Sequence, residues 1–141
     1  MTHYIKVASL FPPPDYAHAA IVEGDRLVFT AGAVPLDAAG ELVGPGDFIA
    51  QTKQVLVNLD AALRAAGSDL EHVVNTTIYV VATDRKHLSD VWSVVRDSGL
   101  GIKPHTSTLL GASMLGYSGQ LVEITAVAVV KPAVVKPAKS T

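Results

Sequence analysis

The chain has 141 residues, 49% of them hydrophobic and 17% charged, and this fits one globular domain rather than a disordered segment. A net charge of −2, with no basic or acidic run, argues against a nucleic-acid grip and against a charged tail. The absence of cysteine excludes disulfides and thiolate chemistry and suits a cytoplasmic protein. Met1 to Lys6 lacks the apolar core of a signal peptide. Leu121 to Val130, the most apolar stretch, is too short to span a bilayer. The sequence therefore reads as soluble and cytoplasmic.

Ile5 to Ala8 is a candidate first strand, followed by the stiff connector Phe11-Pro12-Pro13-Pro14-Asp15. Ala19 to Glu23 and Arg26 to Ala31 are β-type segments, and Gly24-Asp25 between them predicts a hairpin. Asp37 to Gly46 reads as loop; its Gly44-Pro45-Gly46 is a turn, not a dinucleotide fingerprint. A helix is predicted from Asp47 to Ala66. Phe48, Thr52, Val55, Leu56, Leu59 and Leu63 form its apolar stripe, with Asp47 as N-cap and Gly67 as left-handed stop. Val73 to Val81 reads as a central strand. Arg85 to Ser98 reads as a second helix that buries Leu88, Val91, Trp92 and Val95. Thr106 to Leu110 and Leu121 to Val130 are the last strands, and Lys131 to Thr141 is expected to be a flexible tail.

The order βββ-α-β-α-ββ predicts an α+β domain over residues 1–130, with one mixed sheet and two helices on one face. Val73 to Val81 and Leu121 to Val130 look apolar on both faces, yet two helices cover only one. An identical subunit is the simplest partner for the other face.

The five histidines, His3, His18, His72, His87 and His105, show no metal-binding spacing, and no phosphate loop is present. A Ser/His/Asp triad has no support in the sequence, although its members need not be neighbours. More informative are Tyr16-Ala17-His18-Ala19, Thr30-Ala31-Gly32-Ala33-Val34-Pro35, Asn75-Thr76-Thr77-Ile78-Tyr79-Val80, Pro104-His105-Thr106-Ser107 and Val122-Glu123-Ile124-Thr125-Ala126-Val127-Ala128. Each has a bland reading: a rim aromatic, a bulge glycine, ordinary strand residues, a solvated carboxylate. In this order and layout, from Tyr16 to Val130, they resemble the reactive intermediate deaminase family (Rid, or YjgF-type).

The resemblance implies a chorismate-mutase-like fold and a homotrimer, with a central barrel of sheets, helices outside and three clefts between subunits. Active members hydrolyse imines and enamines derived from amino acids to 2-keto acids and ammonia, with no metal or organic cofactor. An arginine grips the substrate carboxylate and a glutamate helps to activate water. Here the arginine's place falls at Thr106 and the glutamate's at Thr125. A cysteine often found two residues after the arginine is Thr108, and an asparagine of the second helix corresponds to Ser89. Tyr16 matches a tyrosine that lines the cleft.

Without that arginine, the sequence argues against the standard 2-imino-acid deaminase activity. Glu123 lies two residues before Thr125 and shares its strand face at about 7 Å, so it is the candidate acid or base. Thr106 and Tyr16 complete the candidate catalytic group. His18, Gly32, Ala33, Ser89, Trp92, Ser107, Thr108 and Thr125 are the candidate ligand-binding residues. His105 is ranked below His18, because as a strand neighbour of Thr106 it should point to the opposite face. No metal and no cofactor are expected. The expected ligand is a small carbonyl, imine or enamine compound that is neutral or bears a hydroxyl group. The alternative is a non-catalytic metabolite-binding or regulatory protein. RNA cleavage or translation inhibition is disfavoured by the charge.

Overall fold

The computed structural model describes residues 1–12 and 14–132. Most of the predicted tail, 133–141, lies outside the described residues. In chain order the strands are β1 (Thr2–Ile5), β2 (Ala19–Val22), β3 (Leu27–Phe29), β4 (Val73–Val80), β5 (Thr106–Gly111) and β6 (Val122–Val129). The helices are α1 (Phe48–Ala65) and α2 (Arg85–Arg96). The βββ-α-β-α-ββ order and the α+β class hold.

Helix α1 forms where its stripe predicts. The Asp47 carboxylate accepts from Ala50 N at 2.9 Å at the start, and Gly67 takes φ +83° just beyond the end. Its buried face is Gln51, Thr52, Val55, Leu56, Leu59 and Leu63. Helix α2 is capped by Asp84 and buries Val91 and Val95, with Leu88 and Trp92 packed at the margin of the core.

The first strands depart from expectation. β1 is Thr2–Ile5, not Ile5 to Ala8, because β2 fixes its register: Thr2 faces Val22 and Ile5 faces Ala19. Beyond Ile5, Val7 N donates to the His18 ring at 2.8 Å instead of to a strand. The hairpin expected at Gly24-Asp25 does not form. β2 pairs with β1 and β3 with β6, so the two segments join different sheets and do not pair with each other. Gly24, at φ +68°, carries the chain from one sheet to the other. The single mixed sheet expected is thus a four-stranded mixed sheet, β3-β6-β4-β5, beside a separate β1-β2 pair.

In the four-stranded sheet β4 is parallel to β5 across the α2 crossover and antiparallel to β6. Alternation then sorts the side chains. Thr76, Ile78, Val80, Val122, Ile124, Ala126 and Ala128 are all buried beneath the helices. Asn75, Thr77, Tyr79, Glu123, Thr125, Val127 and Val129 form the opposite, open face. That face is less apolar than the sequence reading had it, but it is uncovered. At its β3 edge Leu27 is 45% and Phe29 74% exposed, opposite Val129 and Val127.

Candidate active site

Strand register assembles the open face in rows. Asn75 lies between Thr106 and Val127, Thr77 between Thr108 and Thr125, and Tyr79 between Leu110 and Glu123. Side chains of directly paired residues stand about 5 Å apart. Glu123, Thr125, Thr106 and Thr108 therefore share one surface, and Glu123 is its carboxylate.

Glu123 is held from two sides. Gln120, only 3% exposed, donates to Glu123 Oε1 at 3.0 Å and to Val122 O at 3.1 Å. Gly32 runs alongside, because Ala33 and Ile124 exchange backbone hydrogen bonds of 2.8 and 3.2 Å. A Cβ on Gly32 would stand 2.3 Å from Glu123 Oε2, so the missing side chain makes room for the carboxylate. The atom in conflict is the far end of a flexible side chain, which can move. Gly32→Ala is thus expected to leave thermal stability within about 1 kcal/mol, yet to displace Glu123. Thermal melts set beside turnover, or beside chemical-shift changes at Glu123, check this.

Thr106 is partly committed. Its hydroxyl donates to Val74 O at 2.8 Å and accepts from Asn75 Nδ2 at 3.0 Å, which leaves one lone pair for a ligand. Val74 sits at the register shift between Val73 and Asn75.

The other candidates lie on the helix side of the same sheet. Ser107 and Leu109 point there by alternation, and with Pro14, Tyr16 and Trp92 they line a cavity of about 310 Å³. Trp92 Nε1 donates to Asp15 Oδ2 at 3.1 Å, which ties α2 to the segment that carries Tyr16. Ser89 is exposed one turn before Trp92 on α2. Three larger cavities lie away from these residues: two of about 560 Å³, beside Tyr4 and His72 and between α1 and α2, and one of about 340 Å³ along the loop before β6.

Three residues take other positions. Both ring nitrogens of His18 are bound to backbone, to Val7 N at 2.8 Å and Phe11 O at 3.1 Å, so the ring fastens the loop between β1 and β2. Ala33 packs against the core. His105 is 2% exposed, with Nδ1 3.1 Å from Leu100 O and Nε2 2.9 Å from Thr76 Oγ1. It faces away from Thr106, as strand alternation requires.

Burial pulls the His105 imidazole below its usual 6.5. As pH falls, the unfolded chain takes up this proton first, at about 6.5. The stability that His105 contributes is therefore complete above about pH 6.5 and is lost as pH falls through the folded-state value. The urea midpoint of the wild type is expected to drop between about pH 7.5 and 5.5, and by less in His105→Gln.

The sequence reading did not single out Gln120 or Gln51, and quoted Asn75 only as part of a strand segment. Gln51 is fully buried; its amide donates to Gly44 O and Gly119 O at 3.1 Å each, and its carbonyl accepts from Leu121 N at 2.8 Å. It thereby fixes the start of β6 just before Glu123. Its place three residues after Phe48 on the apolar stripe was the available signal. Gln120 had none.

A four-stranded mixed sheet backed by two helices is the chorismate-mutase-like α+β fold. The chain belongs to the YjgF/Rid family: the family model described as Endoribonuclease L-PSP matches residues 9–130. It is similar to Protein DfrA of Myxococcus xanthus, with 35% identity over 81% of this chain and 84% of that one. It is also similar to the 2-iminobutanoate/2-iminopropanoate deaminase of Mus musculus, with 34% identity over 82% of each. Among solved structures it is similar to YyfB, a conserved Rid family protein of unknown function from Yersinia pestis. There the TM-score is 0.84 and the identity 33%, covering 92% of this chain and 98% of YyfB. No helix among the described residues is long and apolar enough to cross a membrane.

Proposed function

We propose that the chain works as a cytoplasmic homotrimer with three clefts between subunits, each of which binds a small carbonyl, imine or enamine compound and hydrolyses the C=N bond of an imine. Thr106, Thr108, Thr125 and Glu123 of one subunit face Tyr16, Ser89 and Trp92 of the next. One observation carries this reading: within a single chain these two groups stand on opposite faces of one sheet. They meet only if another copy brings its Tyr16 edge to the open face. The exposed Phe29 and Leu27 on that face supply apolar area for the contact.

In this cleft Glu123 takes a proton from water. The oxygen adds to the carbon of the C=N bond, the nitrogen gains a proton, and the adduct collapses to a carbonyl and ammonia. The mouse relative carries the name of an imine deaminase, which fits this chemistry. Thr106 offers a hydroxyl where a guanidinium would grip a carboxylate, so uncharged imines are favoured over 2-imino acids. RNA fits poorly, because the rows of the open face hold Glu123 and neither lysine nor arginine.

Light scattering, together with an assay of carbonyl release from freshly generated 2-iminobutanoate and from an uncharged imine of similar size, tests the proposal. The expected result is a mass of three chains, with release above the uncatalysed rate that is faster for the uncharged imine. A monomer overturns the cleft; a trimer without release overturns turnover and leaves a binding protein. Phe29→Asp is expected to shift the mass toward single chains, since it places a charge in the apolar contact. Scattering at one fixed protein concentration reads this directly.

A further inference from the structure

The cavity beneath Tyr16 and Trp92 has a polarity that its hydrogen bonds decide. Leu100 O is a carbonyl and can only accept, so the His105 Nδ1 it meets at 3.1 Å carries a proton. The ring is buried and neutral, which leaves Nε2 as an acceptor. Thr76 Oγ1, 2.9 Å away, must then donate to it and has spent its only proton. The contact of 2.7 Å between Thr76 Oγ1 and Ser107 Oγ is therefore donated by Ser107. Ser107 turns toward the cavity with lone pairs and no proton.

We infer that this cavity is a binding site for small molecules that present an N–H or O–H donor to Ser107 Oγ, with an apolar or aromatic body against Tyr16, Trp92 and Leu109. The fixed chain from Ser107 through Thr76 and His105 to Leu100 sets that preference. Acceptor-only groups such as ethers and carboxylates meet lone pairs at Ser107. Asp15, bonded to the Trp92 indole, adds negative charge beside the cavity and favours amines further. His105 and Thr76 act here as positioning residues, buried away from the ligand. The inference shares Tyr16 and Trp92 with the proposed cleft but needs neither turnover nor a trimer, so the two readings fail separately.

Trp92 is the only tryptophan of the chain and lines the cavity, so its fluorescence reports occupancy directly. Full-length protein is titrated with benzyl alcohol, benzylamine, benzyl methyl ether and benzoate. The alcohol and the amine are expected to bind at least about fivefold more tightly than the ether, the factor that one neutral hydrogen bond supplies, and benzoate more weakly still. Ser107→Ala is expected to bring the alcohol and the ether level. Thr76→Val frees the Ser107 proton and is expected to narrow the ratio while Ser107 stays; if that variant does not fold, Ser107→Ala decides. Equal affinity for alcohol and ether in the wild type overturns the inference. So does a preference that survives in Ser107→Ala, or an indole signal that none of the four compounds moves.

Discussion

Glu123→Gln is expected to lower imine hydrolysis roughly a hundredfold to ten-thousandfold, the range for loss of a positioned general base. The substitution keeps an oxygen to accept from Gln120 and stays over Gly32, so shape and local bonding survive while the basic lone pair is lost. Because the residue sits on the open face and outside the core, the thermal midpoint should hardly move. Steady-state release assays check the first expectation and melting curves the second. A fall in turnover without a matching rise in KM is the signature of a group that acts in the transition state. Full activity in Glu123→Gln would remove this carboxylate from the mechanism.

The largest effect on stability is expected at Leu59. This side chain is fully buried at the middle of α1, within the cluster that joins Val55 and Leu63 to Ile78, Ile124 and Ala126. Leu59→Ala removes buried methyl groups and leaves a space in that cluster that its close-packed neighbours fill only in part. The expected cost is about 2–5 kcal/mol. Urea unfolding at one protein concentration reads it as a lower midpoint with an unchanged slope, since the surface exposed on unfolding is nearly the same. A loss below about 1 kcal/mol would mean that the core relaxes around the gap.

Much of the fold was legible because periodicity and capping are local. The spacing of Val55, Leu59 and Leu63, closed by Asp47 and Gly67, placed α1 almost to the residue. The β-branched run from Val73 placed β4, and alternation put Glu123 and Thr125 on one face and sent His105 to the other. β2 and β3 also fell where expected, but β1 was placed three residues late and the pairing of all three strands was misjudged. Gly24-Asp25 has the local chemistry of a hairpin, but which strands pair is decided by partners distant in sequence: Thr2 to Ile5 for β2, and Val127 to Val129 for β3.

The site divides along the same line. The sequence could name Tyr16, Thr106, Ser107, Trp92, Glu123 and Thr125, because each sits in a recognisable short pattern. It had no means of separating them, and the fold puts Tyr16, Ser107 and Trp92 on one side of the sheet and Thr106, Glu123 and Thr125 on the other. The bonds that define their chemistry span long separations: Gln51 to Leu121, Thr76 to His105 and Ser107, and Gly32 beside Glu123. By itself the sequence determined the helices, every strand segment but the first and the face each of those strands' residues takes, since these follow from backbone geometry within a few residues. Only the tertiary structure decided which strands pair, which side chains spend their protons on one another and what holds the Glu123 carboxylate, since these depend on contacts between residues far apart in the chain.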